Sequence, residues 1–347
     1  MMPRQAIQNF SFCDLAQFLN EAGEKPFRAG QIWEWIYQKG VRDFGAMTNL
    51  PAALRARLDS EFIIYEPKNI ETLTSRDGTR KFLFELDDGE RIESALIPTA
   101  KRNTLCVSSQ AGCKFKCAFC ASGMKGFKRQ LSCAEILSQI LYVKNHGHGQ
   151  PLTHIVFMGV GEPLDNYDRV LGSIRTINFP QGLGIAARRI TISTCGLIPQ
   201  MKRLTEENLQ IELSVSLHGY DDASRRQLMP VSRTYPIKEL IKACRDYIKA
   251  TNRQITFEYI LIKDLTCTPD AARALGGLLK GMLCKMNLIP VNQVREFPYG
   301  PPSRRDAVSF RELLIRQGIH ATIRAPRGQD IAAACGQLRR ASNQPKD

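Results

Sequence analysis

The chain has 347 residues, of which 43% are hydrophobic and 24% charged, as in ordinary globular proteins. This length predicts two domains, or one large domain with an appendage. No run of 18 apolar residues occurs, which excludes a hydrophobic membrane-spanning helix, and the first residues lack the pattern of a secretory signal peptide. We therefore expect a cytoplasmic protein.

The net charge of +14 is unevenly distributed along the chain. Residues 1–90 contain 11 basic and 14 acidic residues, whereas residues 91–347 contain 37 basic and 20 acidic residues. A basic excess confined to the larger part indicates a polyanionic partner such as a nucleic acid. A solvated basic surface would give the same balance.

The first 90 residues predict a small helical module followed by a β linker. Residues 26–60 contain a helix-length run with Ile32, Trp33 and Ile36, and Pro51 opens a second helix. From residue 62 the pattern becomes short and alternating, with a predicted turn at Asp87–Gly89. We predict an accessory domain over residues 1–90, a main domain over residues 91–340 and a disordered tail over residues 341–347.

After residue 90, apolar strand-like runs alternate with amphipathic helical segments. Repeated β-α units predict an α/β fold with a parallel sheet, curled into a full or partial barrel. The predicted strands are Thr104–Ser108, His154–Met158, Arg189–Thr194, Gln210–Leu217, Gln254–Ile262, Cys284–Val291 and His320–Arg324.

The sharpest motif is a C-x3-C-x2-C triplet formed by Cys113, Cys117 and Cys120, directly after the first of these strands. Three thiolates at this spacing can hold zinc or an iron–sulfur cluster. A structural zinc site requires a fourth ligand nearby, and none follows within the usual spacing, although His146 and His148 lie downstream. A [4Fe–4S] cluster with three protein ligands keeps one iron open, which favours catalysis.

Polar residues follow the predicted strands at the ends where barrels of this kind carry their chemistry. Such groups are costly at the end of an apolar strand unless they meet a ligand, a turn or water. The segments are Met158–Pro163, Ser193–Thr194, Ser216–His218, Pro290–Asn292 and the residues around Cys335.

The triplet, with Phe119 before its last cysteine, resembles the signature of radical S-adenosylmethionine (SAM) enzymes. The resemblance implies a partial (β/α)6 barrel and one [4Fe–4S] cluster per chain, held by the triplet. Longer blocks resemble the RlmN/Cfr family of RNA adenosine methyltransferases, in order, from about residue 26 to about residue 340. They are TLCVSSQAGCKFKCAFCASGMKGFKRQL, VFMGVGEPLDN, RRITISTCGLIP, SVSLHG, CKMNLIPVN and RGQDIAAACGQL.

This family resemblance also implies the roles of individual residues. Cys335 matches the cysteine that is itself methylated, Cys106 the second redox-active cysteine and Glu93 the proton acceptor. The positions that match the family's SAM-binding residues are Gly161, Glu162, Ser193, Ser216, Leu217, His218 and Asn292.

The family's scheme implies that two SAM molecules are consumed per turnover. One methylates Cys335; the other generates a radical on that methyl group, which adds to C2 of an adenine. Glu93 then accepts a proton, and a disulfide between Cys106 and Cys335 releases the product. The implied partners are 23S rRNA, also tRNA, and an electron donor such as flavodoxin or ferredoxin, with the enzyme a monomer.

Three alternatives remain at this point. The first is C8 methylation, since both activities share these motifs. The others are a radical SAM enzyme with a protein or small-molecule substrate, and a zinc-stapled RNA-binding module without catalysis. Basic residues expected near the active face, some of which should contact phosphates, are Lys125, Lys128, Arg129, Arg188, Arg189, Arg225, Arg226, Arg304, Arg305, Arg324 and Arg327.

Overall fold

A computed structural model of the chain describes residues 4–146, 150–292 and 297–339. The predicted tail over residues 341–347, as well as His148, lies outside the described residues. No helix of the described residues is long and apolar enough to cross a membrane.

The N-terminal unit is helical, as predicted. Its helices are α1 (Phe12–Glu21), α2 (Phe27–Trp33), which continues as a π-helical turn over Glu34–Gln38, and α3 (Ala52–Glu61). A short parallel pair, β1 (Gln5–Ala6) and β2 (Phe62–Ile63), brings its two ends together. Ser11 begins α1 with a capping box, in which its hydroxyl and the Asp14 carboxylate each bond the other residue's backbone N–H.

The linker folds as an antiparallel meander of β3 (Lys68–Thr74), β4 (Arg80–Glu85) and β5 (Arg91–Pro98). The predicted turn between the last two strands is confirmed. Strand β5 then pairs with β6 (Asn103–Cys106), so the meander extends the main sheet. Our domain boundary near residue 90 falls inside this hairpin, where the sheet has no break; the boundary itself stays a prediction.

The main domain is the predicted α/β fold. Each β-α crossover places the next strand beside the previous one, so the strand order is β14-β13-β12-β11-β10-β9-β6-β5-β4-β3. All the predicted strands are present. The further parallel strands are β9 (His154–Phe157), β10 (Ile190–Thr194), β11 (Glu212–Ser216), β12 (Ile255–Leu261), β13 (Cys284–Pro290) and β14 (His320–Ile323).

Helices cover the sheet between these strands. They are α4 (Cys133–His146), α5 (Tyr167–Asn178), α6 (Ile198–Thr205), α7 (Asp222–Leu228), α8 (Ile237–Thr251), α9 (Pro269–Leu279) and α10 (Arg304–Arg316). A small antiparallel pair, β7 (Gln110–Ala111) with β8 (Arg129–Gln130), flanks the cysteine triplet.

Every residue of β12 is buried, as expected for a parallel strand covered on both faces. The strands β6 and β9 to β14 run parallel, and their carboxyl ends therefore open on one edge of the sheet. The predicted polar segments meet at that edge.

Candidate active site

A cavity of about 1000 Å³, including the part open to solvent, lies at the carboxyl ends of the strands. It is lined by the whole cysteine triplet and by Cys335. The predicted SAM-binding residues in its lining are Gly161, Glu162, Ser193, Ser216, His218 and Asn292.

The triplet lies on the loop between β7 and β8. Burial raises the pKa of all three thiols, that of Cys113 to about 12, so these thiols are protonated unless a cation binds there. One zinc ion would bring its sulfur ligands within about 4 Å of one another, because each Zn–S bond is about 2.3 Å. A [4Fe–4S] cluster distributes three thiolates over separate irons, and the three cysteines of this one loop, all in the cavity lining, supply that set of donors.

Glu162 is buried, and its carboxylate is held by two backbone donors. Its Oε2 accepts a hydrogen bond from the Cys195 backbone N–H at 2.7 Å, and its Oε1 accepts one from that of Leu164 at 3.0 Å. Burial nevertheless raises the pKa of the carboxyl. The preceding Gly161 has a φ of +115°, and a Cβ there would lie 2.6 Å from Cβ of Gln110, so the turn requires glycine.

His218 is a buried, neutral imidazole at the cavity wall. Burial and the nearby Arg225 charge lower its pKa to about 3. Its Nδ1 accepts a hydrogen bond from the Ile260 backbone N–H at 3.1 Å, and its ring lies edge-on to Phe119, with centroids 4.7 Å apart. The residue before Cys120 therefore packs directly on the strand-end histidine.

Leu217 does not line the cavity. Its side chain is fully buried in the hydrophobic core, and its carbonyl accepts a hydrogen bond from Arg225 Nε at 3.1 Å. Arg225 is one of the basic residues expected near the active face, some of which should contact phosphates, and its burial leaves it out of reach of a phosphate. Its side chain is fully buried, and Nη2 donates to the Cys195 carbonyl at 2.7 Å, so it fixes strand-end loops instead.

Two other arginines of that group have defined surroundings. Arg129 is paired with Asp88 at 2.5 Å and with Glu135 at 2.7 Å, which occupies its guanidinium. Arg324 lines the main cavity and also a second, neighbouring cavity of about 870 Å³. Cys335 and Asn292 line both cavities as well.

Cys335 is exposed and lies on the C-terminal segment 328–339. The loop that carries the cysteine triplet holds the residues that follow Cys335. The Ala121 backbone N–H donates a hydrogen bond to the Gly336 carbonyl at 2.7 Å, and Ser122 Oγ donates one to the Leu338 carbonyl at 2.7 Å. Asn292 Nδ2 donates to the carbonyl of Cys335 itself at 3.0 Å.

Cys106 is buried at the end of β6. It packs in one apolar cluster with Ala333 and Leu338, which flank Cys335 in sequence. Burial, with the neighbouring Cys335 thiol as a second cause, raises the pKa of Cys106 to about 12. The fold thus brings together two cysteines that are 229 positions apart in the sequence.

Glu93 is buried on β5 and does not line either cavity. Its Oε1 pairs with Lys81 Nζ at 3.0 Å, and its Oε2 accepts a hydrogen bond from the Arg339 backbone N–H at 2.8 Å. The predicted proton acceptor is therefore attached to the Cys335 segment rather than open to the cavity.

Sequence reasoning missed Lys81 and Glu258. Glu258 lines the main cavity from β12, where it accepts a hydrogen bond from Asn287 Nδ2 at 3.0 Å, and burial raises its pKa. A carboxylate inside the apolar run ITFEYIL was a usable signal. Lys81 offered none, because a basic residue in a half-exposed strand is ordinary.

Comparisons with known proteins agree with this architecture. Residues 6–64 match the family described as "Ribosomal RNA large subunit methyltransferase N-terminal domain", and residues 107–266 match the "Radical SAM superfamily". A crystal structure of a radical SAM methyltransferase from Sphaerobacter thermophilus superposes with a TM-score of 0.92 at 41% identity, covering 96% of this chain and 99% of that one.

Curated relatives match over nearly the whole chain. The "Probable dual-specificity RNA methyltransferase RlmN" of Clostridium tetani is 46% identical, covering 96% of this chain and 95% of the relative. The protein of that name from Symbiobacterium thermophilum is 45% identical, covering 97% and 91%. The chain therefore belongs to the RlmN family of radical SAM RNA methyltransferases.

Proposed function

We propose that this protein methylates C2 of a specific adenosine in 23S rRNA, and of an adenosine in tRNA. The observation that carries the proposal is the approach of Cys106 to the segment of Cys335, beside a cavity lined by the cysteine triplet. A methyl carrier and a second thiol have no evident use in a radical SAM enzyme that acts directly on its substrate. The relatives' description as dual-specificity RNA methyltransferases supports two RNA substrates.

Cys113, Cys117 and Cys120 would hold one [4Fe–4S] cluster per chain, with SAM bound beside it. When bound, these groups supply the electron and the deoxyadenosyl radical that activate a methyl group. Glu162 and Gly161 shape the wall next to the cluster, and His218 remains neutral there, because its pKa is far below physiological pH.

Cys335 would act first as a nucleophile and take the methyl group of one SAM molecule. Its exposure and its position in both cavities let the same sulfur meet SAM and then the adenine. A second SAM molecule is consumed when that methyl group is activated and joined to C2.

Release of the product would then require two residues outside the main cavity. Glu93 would accept the proton from C2, and the unpaired electron that the addition leaves on the adduct would pass to a one-electron acceptor such as the oxidised cluster, which restores the aromatic ring. Cys106 would then give up its thiol proton and attack the sulfur of Cys335 as the thiolate. The bond between that sulfur and the methylene carbon breaks, its electron pair remains on carbon, and protonation completes the methyl group. The resulting disulfide requires an external thiol reductant before the next turnover.

The basic main domain suits an RNA partner, and phosphate contacts would supply much of the affinity. We propose a monomeric enzyme that receives electrons from a small acidic protein such as flavodoxin or ferredoxin.

The test is anaerobic incubation of the iron- and sulfide-reconstituted protein with SAM, a reductant and 23S rRNA or tRNA, followed by mass spectrometry of the nucleosides. The Cys335→Ala variant is the control. We expect C2-methyladenosine from the wild type and none from the variant. C8-methyladenosine would assign the sister activity, and SAM cleavage without any methylated adenosine would refute an RNA substrate.

A further inference from the structure

We infer that Lys81 is a positioning residue for the product-releasing steps: its ammonium group fixes the Glu93 carboxylate relative to the segment that carries Cys335. The inference rests on the proposed function, because it assumes that Glu93 accepts the C2 proton. Lys81 lies on β4 of the meander, outside the barrel and far in sequence from the motifs.

The ammonium group of Lys81 contacts both parts of the site. Its Nζ lies 3.0 Å from Glu93 Oε1 and donates a hydrogen bond to the Ala332 carbonyl at 3.4 Å. The two side chains are only 12% and 8% exposed, so solvent screens the pair weakly. Ala332 lies three residues before Cys335, and one cation therefore binds the proposed base and the methyl-carrying segment together.

Strand register places these groups on one face of the sheet. Lys81 pairs with Ala95, and Ala95 pairs with Cys106, so the three residues form a row across β4, β5 and β6. Glu93 precedes Ala95 by two residues and shares its face, because side chains alternate along a strand. Ala333 and Leu338 cover the end of this row next to Cys106.

The pairing also explains how a carboxylate can stay buried at this position. A buried charge that loses its partner is strongly destabilising, whereas a paired and hydrogen-bonded one is tolerated. Lys81 supplies the partner on Oε1, and the Arg339 backbone N–H occupies Oε2. Without the ammonium group, the carboxylate would reorient toward solvent and lose its relation to Cys335.

The order of the steps gives Lys81 a distinctive signature. Methylation of Cys335 does not involve Glu93 and should not need Lys81. In the later step the C2–H bond breaks, an O–H bond forms on Glu93, and the electron pair of the C2–H bond stays in the adenine ring. The unpaired electron of the adduct would leave to a one-electron acceptor such as the oxidised cluster. Lys81 keeps its own protons throughout and does not touch the reacting atoms.

The experiment compares Lys81→Met, Lys81→Arg and the control Lys68→Met in the reconstituted full chain. Lys68 is an exposed lysine of the same meander, paired with Glu85 at 3.5 Å. For Lys81→Met we expect at least a tenfold slower formation of methyladenosine and an accumulating covalent protein–RNA adduct on denaturing gels. S-methylation of Cys335 and SAM cleavage should stay within twofold of wild type. Lys81→Arg should restore at least a third of the rate, and Lys68→Met should match wild type.

A second readout needs no RNA and separates this inference from the proposed function. Hydrogen exchange in the peptide containing Arg339 should be at least tenfold faster in Lys81→Met than in Lys68→Met, because Glu93 no longer holds that amide. Unchanged exchange, a wild-type rate of methyladenosine formation, or loss of Cys335 methylation in a folded Lys81→Met would overturn the inference. If the wild type makes no methyladenosine, but exchange is still faster in Lys81→Met than in Lys68→Met, only the proposed function is refuted.

Discussion

The backbone N–H of Ala121 donates a hydrogen bond to the carbonyl of Gly336 at 2.7 Å. The residue that follows the last cysteine of the triplet thus holds the residue that follows Cys335. The loop that carries the cysteine triplet and the segment that carries Cys335 are therefore one structural unit, although they lie far apart in the sequence of the main domain.

Ser122→Ala tests this connection. Ser122 is buried, and its Oγ donates to the Leu338 carbonyl at 2.7 Å, so the variant leaves that carbonyl without its donor. We expect the free energy of unfolding in urea to fall by about 1–3 kcal/mol and Cys335 methylation to slow. Ser60→Ala, which removes an exposed bond to the Arg57 carbonyl, is the control and should change stability by less than about 0.5 kcal/mol. Equal effects of the two variants would contradict the assignment.

Replacement by methionine should lower the free energy of unfolding strongly at Arg225 and only slightly at its neighbour Arg226. Arg225→Met removes buried donors to the carbonyls of Leu217 and Cys195, and should cost at least about 3 kcal/mol of unfolding free energy. Arg226 is exposed and, within the described part of the chain, donates only to the Asp222 carbonyl at 2.9 Å, so Arg226→Met should cost less than about 0.5 kcal/mol. Urea denaturation measures both. A stable Arg225→Met with weakened RNA binding would restore the phosphate-contact role that we rejected.

His218 should make stability depend on pH. Its folded pKa is about 3 and its ordinary value 6.5, so below pH 6.5 the unfolded chain binds a proton that the folded protein refuses. This contribution is fully present above pH 6.5 and is lost as the pH falls toward 3. Relative to His218→Asn, whose amide oxygen can accept the bond from Ile260, the wild type should lose roughly 2 kcal/mol between pH 7 and pH 5. Denaturation at the two pH values checks this, and parallel curves would contradict it.

Thiol alkylation should distinguish Cys106 from Cys335. Burial raises the pKa of Cys106 to about 12, so its thiol is protonated at pH 8 and shielded, whereas Cys335 is exposed. Iodoacetamide should label Cys335 while Cys106 stays unmodified, and the exposed Cys13 provides an internal reference. Peptide mass spectrometry gives the labelling rates. Labelling of Cys106 as fast as that of Cys13 would show that β6 opens in solution.

The strands were predictable because each is a short apolar run with a local boundary. The run Gln210–Leu217, for example, contains the observed strand Glu212–Ser216. The strand-end residues of the site followed from the same periodicity, since parallel strands place their carboxyl ends together. The burial of Arg225 was not predictable, because a buried guanidinium and a solvated one leave the same letter in the sequence.

Contacts between distant parts of the chain were not predictable. Lys81 meets the Ala332 carbonyl across 251 positions, and no local pattern announces such a partner. The same holds for Glu93, whose match to the family's proton acceptor suggested a base but whose attachment to Arg339 depends on the folded C-terminal segment. Leu217 lies at a strand end, as predicted, but its side chain points into the hydrophobic core instead of the cavity. The direction of that side chain could not be predicted from its place at the strand end.

The meander and the segment that carries Cys335 are joined by hydrogen bonds that involve none of the cysteines. The turn between β3 and β4 binds the start of the Cys335 segment through two hydrogen bonds. Ser75 Oγ donates to Asp330 Oδ1 at 2.6 Å, and the Gly328 backbone N–H donates to Asp77 Oδ2 at 3.0 Å. A fragment that lacks the first hundred residues would lose these two hydrogen bonds, together with Lys81 and Glu93. Under the proposed mechanism the meander therefore belongs to the catalytic machinery as much as the main domain does, and we expect the smallest fragment able to complete a turnover to span both.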